Sequence, residues 1–221
     1  MFKPSKRLGI QVFLVFCFFA ASADYAWKAF DNFHEVLPGM LYRSGQLSGD
    51  HLQAHGRLQG IRTVINLRGA NPKEDWYREE VAASRIVGVK HIDLPIDSLF
   101  PTREELADLA NTLETCPKPV LIHCQSGIDR TGIAAALACL LLEDSSSTEA
   151  ALDQLTWRFG CLPWRKSRED KRDFLLAYES WLGARGQTHS RQLFRAWLRE
   201  VVQIANLDAK PCPRPLGTQG R

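Results

Sequence analysis

Little in this sequence is one-sided. The formal net charge over 221 residues is only +3, without the basic stripe interleaved with aromatics that marks a nucleic-acid binder. Nucleic acid is therefore not an expected partner, and any preference for acidic substrates must be built locally. Cysteine is sparse at six residues. With no Cys-x-x-Cys pair, neither a zinc module nor a disulfide scaffold is expected. His34, His51, His55 and His91 show no metal-ligand spacing, so no metal or other cofactor is expected. Internal repeats and low-complexity tracts are missing. Hydrophobic residues at 45% and charged residues at 24% match an ordinary globular protein, which excludes bulk disorder. The length suits one domain with a sizeable core plus short extensions.

Long apolar runs are also scarce, with one exception. Lys3, Lys6 and Arg7 precede an uncharged stretch from Leu8 to Ala23, the arrangement of an export leader. The stretch is short of the roughly 20 residues that cross a bilayer comfortably. Ala21-Ser22-Ala23 fits a signal-peptidase site with cleavage before Asp24. Tyr25, Trp27 and Phe30 would suit an uncleaved anchor at the membrane interface; a buried N-terminal helix is the third alternative. Both leading readings export the domain, either released to the periplasm or exterior or membrane-anchored on the non-cytoplasmic side.

Beyond the leader, strand-like and helix-like patterns alternate. His34–Leu37 and Met40–Arg43 flank the Pro38-Gly39 turn as a short hairpin. Ser48 caps a helix over about 49–58, and Arg62–Leu67 is an apolar, β-branched strand. Asn71-Pro72 opens a charged helix to about Val87, with Trp76 and Val81 on its apolar side. Val89–Leu94 alternates as a further strand. Thr102 and Glu105 form a capping box for a helix to about Leu113. Val120–Ile122 is a short buried strand, and Thr131–Leu142 is apolar on every face, as a central helix must be. Ser147 or Thr148 starts another helix, Arg168–Leu182 forms the next, and Leu193–Ile204 is amphipathic. The alternation implies an α/β fold, with a mostly parallel sheet of four to five strands flanked by helices. Three regions follow: a leader over 1–30, a domain over 31–183, and a C-terminal extension over 184–221 ending in a loose tail.

The chemistry concentrates in HCQSGIDRTG, His123 to Gly132. A phosphate monoester needs donors for its oxygens, an in-line nucleophile and a proton for the leaving oxygen. Small residues such as Ser126 and Gly127 let successive backbone N–H groups of Gln125, Ser126, Gly127, Ile128 and Asp129 curl into an anion-binding nest. The helix that begins near Arg130 directs its positive end to the same place, and Arg130 adds a planar two-pronged donor. The same field favours the thiolate of Cys124. His123 orients the loop, and Thr131 donates its hydroxyl to the sulfur as it leaves.

This segment resembles the signature of the protein tyrosine and dual-specificity phosphatase superfamily, H-C-x5-R-[S/T], on His123, Cys124, Gly127, Arg130 and Thr131. The resemblance covers about Phe33 to Leu182, including NFHEVLPGMLYRSGQL and IRTVINLRG, and is strongest to small dual-specificity-like members. It implies the cysteine-phosphatase fold and hydrolysis through a phosphocysteine. It also implies an aspartate that protonates the leaving oxygen and then activates water. Asp97, in LPIDSLFPT between a strand and a capped helix, is the leading candidate for that role, and Asp93 is a second. Asp129 is a third, because C-x2-G-x-D-R-T is similar to loops of myotubularin-type lipid phosphatases and some bacterial phosphatases, where the loop aspartate serves as acid. The lysines that grip extra phosphates in lipid phosphatases are replaced by Gln125, Ser126 and Ile128. Arg43 and Arg68, each after a strand, are candidates to touch the substrate or to support the loop.

Three functions compete. The first is a phosphatase for phosphotyrosine, with phosphoserine or phosphothreonine in addition, on protein or small-molecule phosphates. The second is a lipid or inositol phosphatase associated with the membrane that the leader targets. The third is a non-catalytic phosphate-binding module. Cys116 and Cys161 are candidate partners for a protective disulfide with Cys124, and Cys139 is a core residue. Trp157, Trp164 and Trp181 are core or surface anchors.

Overall fold

A computed structural model describes residues 31–162, 166–204, 207 and 212–213; the leader with Cys17, and Trp164, lie outside them. Among the described residues five strands form one sheet: β1 (His34–Leu37), β2 (Leu41–Ser44), β3 (Thr63–Asn66), β4 (Lys90–Asp93) and β5 (Val120–His123). Their spatial order is β1-β2-β5-β3-β4. Only the β1–β2 hairpin is antiparallel; β2–β5, β5–β3 and β3–β4 are parallel. β5 is thus central, and all four of its residues are buried. This matches the apolar, unbroken run that a strand covered on both faces requires.

The period-two alternation of the strands sorts the core into two layers. Tyr42, Val64 and Leu121 face one side, with Leu52 and Ala83. These last two belong to α1 (Gly49–Leu58) and α2 (Asp75–Val87). Leu41, Ile65, Val120 and Ile122 face the other. That side is covered by α3 (Arg103–Thr115), α4 (Asp129–Leu142), α5 (Thr148–Asp153), α6 (Lys166–Gly183) and α7 (Arg191–Glu200). α4 lies in the middle of this layer, buried from Thr131 to Leu141, because its neighbours enclose it on every side.

The caps that start α1 and α3 were legible. The Ser48 hydroxyl accepts from the N–H of His51, and Thr102 with Glu105 completes its capping box. α2 begins later than its charged pattern suggests, because residues 72–74 form a turn closed by Glu74 N–H on Asn71 O at 2.9 Å. The C-terminal extension is not a separate layer. Phe194, Trp197 and Leu198 of α7, and Ile204 and Leu207 after it, are buried in the same core as α4.

One cysteine expectation is overturned. Cys116 is bonded to Cys212, so it is not a partner for Cys124, and the chain does carry a staple across its tail. Spacing could not reveal a pair whose members are 96 residues apart. Among the described residues no helix is long and apolar enough to cross a membrane.

Candidate active site

β5 ends at His123, and α4 starts at Asp129; the residues between them form a loop over the carboxyl edge of the parallel strands, where α/β sheets open a crevice. Gly127 is the residue the turn depends on. Its φ is +71°, and a Cβ there would stand 2.7 Å from the Gly45 nitrogen and the Ser44 carbonyl carbon. Only glycine meets both conditions. Ile128, the N-cap of α4, provides no side-chain oxygen to the first-turn amides, and the N–H of Thr131 is directed at the Cys124 sulfur instead.

The loop is fastened from outside. The side-chain amide of Asn32 is shared among the carbonyls of Ser126 (3.0 Å), Gly127 (3.2 Å) and Phe159 (3.2 Å). The N–H of Gln46 donates to Gln125 O at 3.0 Å. Arg43, expected either to touch the substrate or to support the loop, is completely buried and lies under the loop. Its Nη2 donates to Gly127 O at 2.8 Å, and its Nη1 to the carbonyl and side-chain oxygens of Gln154, both at 2.9 Å. Its guanidinium lies 3.9 Å from the Phe159 ring centre. Burial pushes its pKa down to about 9, against the pull of the thiols of Cys124, Cys161 and Cys139. The β2 alternation that turns Tyr42 one way turns Arg43 the other, beneath the loop.

Cys124 is 3% exposed. Burial opposes its ionisation, yet the Thr131 hydroxyl, the backbone N–H groups of Thr131 and Gly127 and the charge of Arg130 outweigh it and hold its thiol below the ordinary range. The Thr131 hydroxyl lies 3.5 Å from Ser44 O; at that length the sulfur is the better acceptor once it is charged. Arg130 reaches Leu67 O with Nη1 at 3.2 Å. Arg68, the next residue along, is half-buried and stacks 3.4 Å over Trp76, with Nη1 on Gln46 Oε1 at 2.9 Å. Burial and the proximity of Arg130 both lower its pKa. Among the described residues no carboxylate pairs with either guanidinium, so the crevice keeps a positive field.

Beneath His123 lies a charge that sequence reasoning missed. Glu80 on α2 is buried, and its Oε1 accepts from His91 Nε2 at 2.6 Å and His123 Nε2 at 3.1 Å; its Oε2 accepts from the Gln46 side chain. Burial would raise the Glu80 pKa, but the two imidazoles hold it far below the usual carboxylate range. His123 is the counterpart. Burial lowers its pKa, while the Glu80 charge and hydrogen bond and the nearby Cys124 outweigh that and raise it. As an imidazolium it also donates Nδ1–H to Cys124 O at 3.3 Å. A glutamate on an amphipathic helix ordinarily reads as solvated, and nothing local distinguished this one.

The three acid candidates separate in space. Asp93, at the end of β4, accepts from Asn66 Nδ2 at 2.8 Å and the Tyr77 hydroxyl at 2.5 Å, which ties it to strand-end packing. Asp97 is exposed, and its Oδ1 accepts from the N–H of Leu99 (2.7 Å) and Phe100 (3.3 Å). Asp129 lies 3.7 Å from the ammonium of Lys171, a buried lysine on α6 that the sequence did not single out.

The profile of the tyrosine phosphatase family matches residues 26–153. The fold is similar to that of a protein from Shewanella putrefaciens CN-32 assigned as a phosphatase, at 20% identity over 66% of this chain and 91% of that one, with a TM-score of 0.51. It is also similar to the core catalytic domain of the PP-IP phosphatase Siw14 from S. cerevisiae, at 20% identity over 70% and 93%, with a TM-score of 0.53. Among curated proteins none matches the chain.

Proposed function

This chain belongs to the tyrosine phosphatase family and is a cysteine-based phosphatase, and we propose that it hydrolyses phosphotyrosine and related monoesters through a phosphocysteine on Cys124. The observation that carries this reading is the Cys124 thiol itself. It is held below its ordinary pKa at the N-terminus of α4, beside the guanidiniums of Arg130 and Arg68, which form no ion pair with a carboxylate among the described residues. In the first step the thiolate forms an S–P bond as the P–O bond of the ester breaks, and the Asp97 carboxyl gives its proton to the departing oxygen. In the second, water attacks the phosphocysteine and its proton returns to Asp97, while the sulfur leaves as a thiolate eased by Thr131. Backbone N–H groups from Gln125 to Asp129 and the fork of Arg130 hold the equatorial oxygens throughout.

A second substrate class has one observation in its favour. Arg68 stands near Arg130, its guanidinium hydrogen-bonded to the Gln46 side chain, and would receive a second phosphate or an acidic neighbour. Siw14 is named as a PP-IP phosphatase, and an inositol phosphate or phosphoinositide is the corresponding alternative here. Export is proposed from the leader; the Cys116–Cys212 bond supports it, because such bonds persist in oxidising compartments.

The test is metal-free hydrolysis by the purified chain and its Cys124→Ser variant on an aryl phosphate, phosphotyrosine and phosphoserine peptides, and phosphoinositides. Turnover that vanishes in Cys124→Ser, while phosphate still binds, is expected. Phosphate binding without turnover in the unaltered chain would instead support a binding module.

A further inference from the structure

Lys171 is completely buried, an uncommon position for an ammonium. A buried charge needs its partners, and those of Lys171 come from two different loops. Nζ is 3.7 Å from Asp129 Oδ1, at the first residue of α4 and next to Arg130. It also donates to the backbone carbonyl of Ser98 at 3.3 Å, one residue beyond Asp97. A single side chain on α6 therefore spans the gap between the phosphate loop and the segment that carries Asp97. One turn further along α6, Phe174 packs against Phe100 with ring centres 5.2 Å apart. The Asp97 turn, closed by its own carboxylate on Leu99 and Phe100, is thus held to α6 at two points.

We propose, resting on the reading above, that Lys171 is the positioning residue for the general acid. It fixes the height of the Asp97 turn over the phosphate loop, and it occupies the Asp129 carboxylate so that Asp97 remains as proton donor. Lys171 takes no part in the bond changes: the proton moves from the Asp97 carboxyl to the bridging ester oxygen as the P–O bond breaks. The arrangement explains how a loop with an aspartate beside its arginine still uses an acid from elsewhere in the chain.

The experiment compares turnover of 4-nitrophenyl phosphate, whose leaving group needs little protonation, with that of phenyl phosphate, whose leaving group needs it. General-acid help is worth about 10²–10⁴-fold in rate, so Asp97→Asn lowers the phenyl-to-nitrophenyl ratio of kcat by roughly 100-fold, and Asp129→Asn does not. Lys171→Met lowers the same ratio by about tenfold or more, with KM unchanged on both substrates. The ratio is read within one preparation, so a partly unfolded variant cannot imitate the effect. In the double variant Lys171→Met/Asp97→Asn the ratio falls no further than in Asp97→Asn alone.

An unchanged ratio in Lys171→Met overturns the proposal, and so does a double variant whose ratio is the product of the two single effects. If Asp97→Asn leaves the ratio intact while turnover still requires Cys124, this inference fails and the cysteine chemistry stands. If turnover does not require Cys124, both fail.

Discussion

At Glu80 the site spends a buried charge on a residue that does not touch the substrate. Its carboxylate makes His123 a cation, and that cation both orients the Cys124 carbonyl and favours the thiolate. The sign of each shift fixes the pH window. Glu80 is depressed, so its contribution to stability is present above the ordinary carboxylate value of about 4.3 and is lost as pH falls through its own lower pKa. His123 is raised, so its contribution is complete below the ordinary imidazole value of about 6.5 and is lost as pH rises through its own higher pKa. Both are at full strength between those limits. Glu80→Gln is expected to cost about 3–5 kcal/mol there, the usual penalty for stranding one member of a buried pair. The gap to the unaltered protein should narrow on both the acid and the alkaline side, as denaturant unfolding across pH would record. A cost independent of pH would mean that the pair is neutral in the fold.

At the scale of the elements, the β5–loop–α4 unit sets the geometry. Gly127→Ala forces a side chain into the left-handed region, at about 1–2 kcal/mol, and against the backbone of Ser44 and Gly45 besides. Loss of most phosphatase activity is expected even where thermal unfolding still shows a folded protein, because the inward N–H groups lose their aim. Undiminished activity would show that the loop can re-form around a Cβ. Much of this unit was legible in the sequence. An apolar strand, a cysteine-arginine loop and an all-apolar helix each write a local pattern, and so do the caps at Ser48 and Thr102. Most of what fastens the unit was not legible. Asn32, Glu80, Gln154 and Lys171 reach it from other elements, and a polar residue's local spacing does not say whether it faces water or a distant carbonyl. Arg43 was singled out, with substrate contact and loop support both left open: β2 is too short for its alternation to tell a crevice from the space beneath the loop.

Across the whole molecule, the tail is tied down twice: α7 inserts Phe194 and Trp197 into the main core, and Cys212 is bonded to Cys116 at the end of α3. A cross-link closing a loop of about 100 residues is worth roughly 4–5 kcal/mol in the chain-entropy account. Cys212→Ser, or a reductant, should therefore lower the unfolding midpoint clearly while turnover at moderate temperature persists. An unmoved midpoint would mean that the apolar packing of α7 alone secures the tail. The anchoring of Arg43 reaches past the family boundary. The match to the tyrosine phosphatase profile ends at residue 153, yet Arg43 rests on Gln154 and stacks on Phe159. A fragment trimmed to the shared region would keep every residue of the signature and lose the floor on which the signature stands. Portability of this catalytic motif into another scaffold is therefore set by what lies beyond the motif, at Gln154 and Phe159.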